Sequence, residues 1–282
     1  MHPTFRRAGT LAVAVLALMP ISSAHAMPLP AGNAVLLRYR FVPGQTYAYR
    51  MTMDMRMSMS GTDVPTSASN ETATMGSIVR YHVLRVDALG GADAEVSLSK
   101  TTMSITMGGH TTTAPLSSPS PSVIHIGANG SMQEAVGSTV RSYDLSAMGT
   151  LPAGAVSPGA QWISTAVTSM PSAFTSLAPL HITAHNVFSG YLQYEGQRVA
   201  AIDTTGTLQS ISDTTLSGAP VHMHVAANMT GQSLFGTAVR RTVASQEHLD
   251  MRMFMSGHSS TGTSIAVHMH VVMSVSLTPY GG

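Results

Sequence analysis

Residues 51–59 read Met51-Thr52-Met53-Asp54-Met55-Arg56-Met57-Ser58-Met59. Methionine holds every odd position and a polar residue every even one. A two-residue period is the signature of a strand with one face buried and the other wet, and it is incompatible with the 3.6-residue period of a helix. The stretch therefore sets an all-β reading, and the rest of the chain follows it. Met251, Met253 and Met255 alternate with Arg252 and Phe254, and Met269 and Met273 lie in a similar run near the C-terminus.

Alternating runs are separated by turn signals. Val35 to Val42 and Tyr47 to Ser60 flank Pro43-Gly44, and Ser77 to Leu89 and Ala92 to Met107 flank Gly90-Gly91, so each pair predicts a hairpin. His110 to Ser122 is rich in Thr, Ser and Pro and reads as a loop, and Ser138 to Met148 reads as a short helix. After the Pro/Gly connection ending at Trp162, further strands are expected at Val187–Tyr194, Gln197–Ile211, Pro220–Phe235, Thr242–Ser256 and Ser264–Thr278. The expected fold is all-β: two antiparallel meanders, residues 27–150 and 151–282, forming one curved sandwich or half-barrel. Tyr81 to Val96 and Tyr191 to Ile202 share a strand–turn–strand pattern, as an internal duplication would leave. Matching like faces of the last two strands places Met251 opposite Met269 and Met253 opposite Val267, with His270 facing Asp250.

The first residues read as an export signal. Arg6 and Arg7 precede an apolar core, Leu11 to Met19, and Ala24-His25-Ala26 is an A-x-A cleavage site. Residues 1–26 are then removed, and the protein is periplasmic or secreted. The apolar run is too short to span a bilayer, and no transmembrane anchor is expected. The chain has no cysteine, which excludes a lipid-bearing lipobox, disulfides and thiolate sites. Loss of Arg6 and Arg7 takes the formal charge from +1 to about −1. Charged residues make up 10% of the chain and aromatics 5%, so neither a basic patch nor stacking platforms for nucleic acid are expected.

Three chemistries suit the methionines. They can be core residues where Val or Ile is commoner. They can line an adaptable apolar cavity for a lipid or other hydrophobic molecule, with Met51, Met53, Met55, Met57, Met251, Met253, Met255 and Met269 as its candidate wall. They can also bind Cu(I), for which thioethers are soft ligands. Val221-His222-Met223-His224-Val225 and Val267-His268-Met269-His270-Val271 are near copies. In a strand each pair of imidazoles shares a face about 7 Å apart. His222, His224, His268 and His270 are thus the alternative metal ligands. A polar outer face explains them equally well, because Arg252 falls between the two pairs. Enzyme chemistry lacks a signature: no Gly-x-Ser-x-Gly, no paired acids and no phosphate loop.

The connection Leu151-Pro152-Ala153-Gly154-Ala155-Val156-Ser157-Pro158-Gly159-Ala160-Gln161-Trp162, the opening Tyr39 to Tyr47, and Leu234-Phe235-Gly236 with Thr242-Val243-Ala244-Ser245 resemble an uncharacterised family of exported bacterial all-β proteins. That family often has Asp where Gly236 and Ala160 stand here. The resemblance implies the all-β fold and the exported compartment, with a looser likeness to half-barrels that carry lipids or lipoproteins across the periplasm. It implies no catalytic residues. The reading that results is a non-enzymatic binding protein, without a cofactor, for a hydrophobic ligand or envelope component. A periplasmic copper- or metal-binding protein and a purely structural envelope module are the alternatives.

Overall fold

The computed structural model describes residues 34–61, 70–117, 120–134, 150–168, 180–216, 219–258 and 264–281. The export signal with its cleavage site and the expected helix at Ser138 to Met148 lie outside them. Twelve strands are present: β1 (Thr46–Gly61), β2 (Asn70–Val86), β3 (Ala92–Met107), β4 (His110–Pro115), β5 (Ser122–Ile126) and β6 (Met132–Glu134) in the first half. The second half holds β7 (Gln161–Thr168), β8 (Leu180–Tyr194), β9 (Gln197–Leu216), β10 (Ala219–Gly236), β11 (Arg241–His258) and β12 (Ser264–Pro279).

All twelve belong to one antiparallel sheet, ordered β6-β5-β3-β2-β1-β12-β11-β10-β9-β8-β7, with β4 added to β3. The two meanders are therefore not stacked as separate sheets. They meet where β1 pairs with β12, from Tyr49–Pro279 to Gly61–Val267. Pairing the first and last strands is how an up-and-down barrel closes. Here that seam is made and the ring stays open between β6 and β7, which gives a half-barrel.

The methionine alternation decides which face is inside. Met51 and Met53 are 1% exposed and Met57 is buried, whereas Thr52, Asp54 and Arg56 are exposed. Register carries the phase across the sheet: Met53 pairs with Met75 on β2 and Val275 on β12, and Met223 on β10 pairs with Met255 on β11. Met51, Met53, Met75, Met223, Met253 and Met273 thus belong to one buried cluster that extends to β3, β5, β8 and β9.

Three sequence expectations are corrected. Val35 to Val42 forms no hairpin with β1, because both edges of β1 are already taken by β2 and β12. The segment instead crosses the end of the half-barrel. It is tied down by a Val35–Val156 bridge, a Tyr39 N–H to Ala128 bond of 2.8 Å and an Arg40 N–H to Arg240 bond of 3.0 Å. There it buries Leu37 completely, in a second cluster with Leu151, Phe188 and Phe235. The supposed loop at His110 to Ser122 contains β4 and the first residue of β5. Gly108 and Gly109, with φ of 56° and 81°, make the two-residue turn that returns β4 along β3. Finally, β11 and β12 are shifted by two residues from the expected register: Met251 faces Val271, Met253 faces Met269 and Arg252 faces His270.

Candidate functional site

The short turns gather at one end of the half-barrel: Pro43-Gly44, Asp87 to Gly91, Gly127 to Ser131, Glu195-Gly196 and Gly236 to Arg240. Towards this end the inner face changes from thioethers to rings. Tyr47 and Tyr49 continue the phase of Met51, and Tyr47 pairs with Tyr81 on β2. The crossing segment adds Tyr39 and Phe41 from above.

These rings enclose a partly open cavity of about 70 Å³, whose lining includes Tyr39, Phe41, Tyr47, Tyr49, Tyr81 and Met132. Since about 10–15 Å³ on this measure holds one water, the space suits a group of about one aromatic ring. Tyr39 stacks on Phe41 with centroids 5.8 Å apart and meets Phe235 edge-on at 5.3 Å, and Tyr49 meets Tyr81 edge-on at 6.1 Å. The hydroxyls are held at the perimeter. Tyr39 Oη and Thr242 Oγ1 share a bond of 2.7 Å, Tyr49 donates to the Thr242 carbonyl at 3.2 Å, and Tyr47 donates to Gln45 Oε1 at 2.9 Å. Desolvation raises the pKa of Tyr39, Tyr49 and Tyr81, so these phenols stay neutral at any physiological pH. With the Tyr39, Tyr47 and Tyr49 hydroxyls engaged, the cavity offers mainly ring surface. Two cations, Arg40 and Arg241, also line it, and the Arg241 guanidinium lies 5.3 Å from the Tyr47 ring centroid.

The methionines named from sequence lie elsewhere. Met51, Met53, Met57 and Met253 are buried core residues; Met251, Met255 and Met269 pack against that core half-buried, and Met55 is half-buried on β1. None of them lines the aromatic cavity, where Met132 is the methionine among the described lining residues.

The four histidines fall on the outer face towards the opposite end. His224, His268 and His270 border a shallow depression of about 450 Å³ with Arg252 and Phe254. Phe254 separates the two strands' imidazoles: it pairs with His224 on one side and His268 on the other, and its ring is 4.6 Å from that of His268. His270 Nε2 lies 3.1 Å from Asp250 Oδ1, and His222 Nδ1 lies 2.8 Å from Asp213 Oδ1. His222 and His270 thus face different carboxylates, and Phe254 stands between His224 and His268. Among the described residues, no group of three His, Cys, Asp or Glu side chains is placed to hold a metal ion.

One buried feature escaped the sequence reading. Ser164, Asn186, Thr204 and Glu247 form a polar band across the inner face of β7, β8, β9 and β11. Asn186 Nδ2 donates to Ser164 Oγ at 3.0 Å, and Thr204 Oγ1 donates to Asn186 Oδ1 at 2.9 Å. Glu247 lies over Gly231, where a Cβ would come within 2.4 Å of its Cγ. Its Oε2 is buried without a hydrogen-bond partner among the described residues, and desolvation lifts the carboxyl pKa to about 8. The sequence did carry a signal: Glu247 is in phase with Met251, Met253 and Met255, and so points inward with them.

No family model and no curated protein matches the chain. Among solved structures it is similar to three proteins of Pseudomonas aeruginosa. OccK11 (OpdR) shares 6% identity, with 88% of this chain and 100% of that one covered and a TM-score of 0.24. For OccK7 (OpdD) the values are 7%, 84%, 100% and 0.24. For OccK5 (OpdH) they are 7%, 85%, 99% and 0.21. Likeness at these scores carries no inference about function.

Proposed function

We propose that the protein is an exported, non-enzymatic binding protein whose ligand is a small hydrophobic molecule seated in the aromatic cavity. The observation that carries this reading is a preformed, partly open, ring-lined cavity at the turn end of the half-barrel. Small-molecule sites are typically concave and apolar, with a few polar groups to orient the ligand. Among the described residues the lining is mainly aromatic and aliphatic, which supports binding of an apolar group. The export signal supports the compartment, and the resemblance to exported β-proteins supports the class.

Native mass spectrometry of the protein purified from its own envelope tests the reading. The expected result is a one-to-one adduct with a small apolar molecule, released by organic solvent. Bare polypeptide mass in every preparation would count against it. A stoichiometric metal adduct would instead favour the methionine and histidine sites.

A further inference from the structure

Resting on that use of the aromatic cavity, we infer that its ligand is an anionic amphiphile: a ring or short alkyl group carrying a carboxylate or comparable oxyanion. The apolar part sits among the tyrosines and the head lies against Arg40 and Arg241.

Four of the ten arginines among the described residues have an acceptor or an acidic neighbour. Arg38 donates to the Ala153 carbonyl at 2.7 Å, Arg80 to Ser99, and Arg85 to Asp93 at 2.5 Å, while Arg252 lies 3.8 Å from Asp250. Arg40 and Arg241 are not among those four, and their place sets them apart, since both line the apolar cavity. Among the described residues neither Arg40 nor Arg241 forms an ion pair or a side-chain hydrogen bond, and no carboxylate lines the cavity with them. The Arg40 N–H to Arg240 carbonyl bond of 3.0 Å holds the crossing segment against the start of β11, which brings the two cations to one site. Arg241 is half-buried and Arg40 exposed, so one guanidinium is partly withdrawn from water without a counter-charge. Guanidinium forks match oxyanions geometrically, and a charge-assisted pair is stronger beside apolar surface than in bulk water.

Cavity size then limits the tail. A space of about 70 Å³ accepts a ring or a few methylenes, not a pair of acyl chains. A free acid and the head of an anionic lipid offer the same head chemistry. The volume favours the free acid.

Calorimetry with 4-phenylbutyrate, 4-phenylbutan-1-ol and 4-phenylbutylamine separates head from tail. In the intact protein the acid should bind at least about tenfold more tightly than the alcohol, with the amine weakest. In Arg40→Gln and in Arg241→Gln, each first shown by thermal melting to be folded, acid affinity should fall towards that of the alcohol. The alcohol itself should change by less than about twofold. Equal binding of acid and alcohol by the intact protein would overturn the inference and leave the hydrophobic reading standing. No binding of any of the three would overturn both. Co-sedimentation with phosphatidylglycerol vesicles, without binding of the free acid, would also overturn the inference, since it would make the lipid surface the anion.

Discussion

The middle of the half-barrel and its turn end share the same strands and the same alternation, yet one turns methionines inward and the other sets rings around a cavity. In the middle, Met51, Met53, Met75, Met223 and Met253 face inward. Unbranched thioethers have three rotatable bonds and adapt to irregular gaps until density is native-like. At the turn end the inward residues are Tyr47, Tyr49 and Tyr81, with Tyr39 and Phe41 laid over them. Planar rings cannot collapse in this way, the Tyr39, Tyr47 and Tyr49 hydroxyls are pinned, and edge-to-face contacts leave space between rings. Side-chain stiffness thus gives a physical reason for the void among the tyrosines.

The largest expected effect comes from breaking the filled middle. Met53→Asp would place a carboxylate among thioethers at a position 1% exposed, and should cost about 3–5 kcal/mol. Urea unfolding would measure this. A loss below about 1 kcal/mol would mean that Met53 is not in a packed interior.

An effect of similar size is built into the fold already, at Glu247. Its carboxyl pKa is raised from 4.5 to about 8 in the folded protein. Below about pH 4.5 both folded and unfolded chains hold the proton, and this contribution to stability is fully present. Between about pH 4.5 and pH 8 the unfolded chain ionises while the folded one does not, so stability falls as pH rises. Above about pH 8 the loss levels off at about 4–5 kcal/mol. Glu247→Gln should flatten this dependence, and its melting temperature should exceed that of the natural protein at pH 8.5 by more than at pH 4.5. Parallel profiles would show that Glu247 is solvated or paired.

The smallest effect sharpens the contrast. Met223→Leu nearly conserves volume at a position 1% exposed, and should cost less than about 1.5 kcal/mol because neighbouring methionines repack. A larger loss, by chemical denaturation, would mean that the middle is as rigid as the turn end.

The strands and their inner face were legible because alternation carries both at once. Met51 to Met59 alone separates a buried side from a wet one. Register was not legible by the same rule: a two-residue slip keeps every face matched, so the Met251–Met269 pairing and the actual Met253–Met269 pairing satisfy it equally. Composition misled at His110 to Pro115, where Thr and Ser suggested a loop, although Gly108-Gly109 before them is a hairpin signal. Glu247 was readable in principle from its phase. The cavity was not, because it depends on Tyr39 meeting Thr242 from 203 residues away. No local pattern announces a segment that leaves its neighbouring strand to cover the end of a barrel.

The central claim is that the ligand space lies among the tyrosines and not among the methionines. Methionine-methyl NMR during titration with 4-phenylbutan-1-ol tests this most directly, because each methyl reports its own surroundings. The account predicts that Met132, which lines the cavity, shifts with saturable occupancy while Met51, Met53, Met223 and Met253 stay in place. Saturable shifts at those four methyls, with Met132 unmoved, would contradict it and place the binding site in the methionine interior.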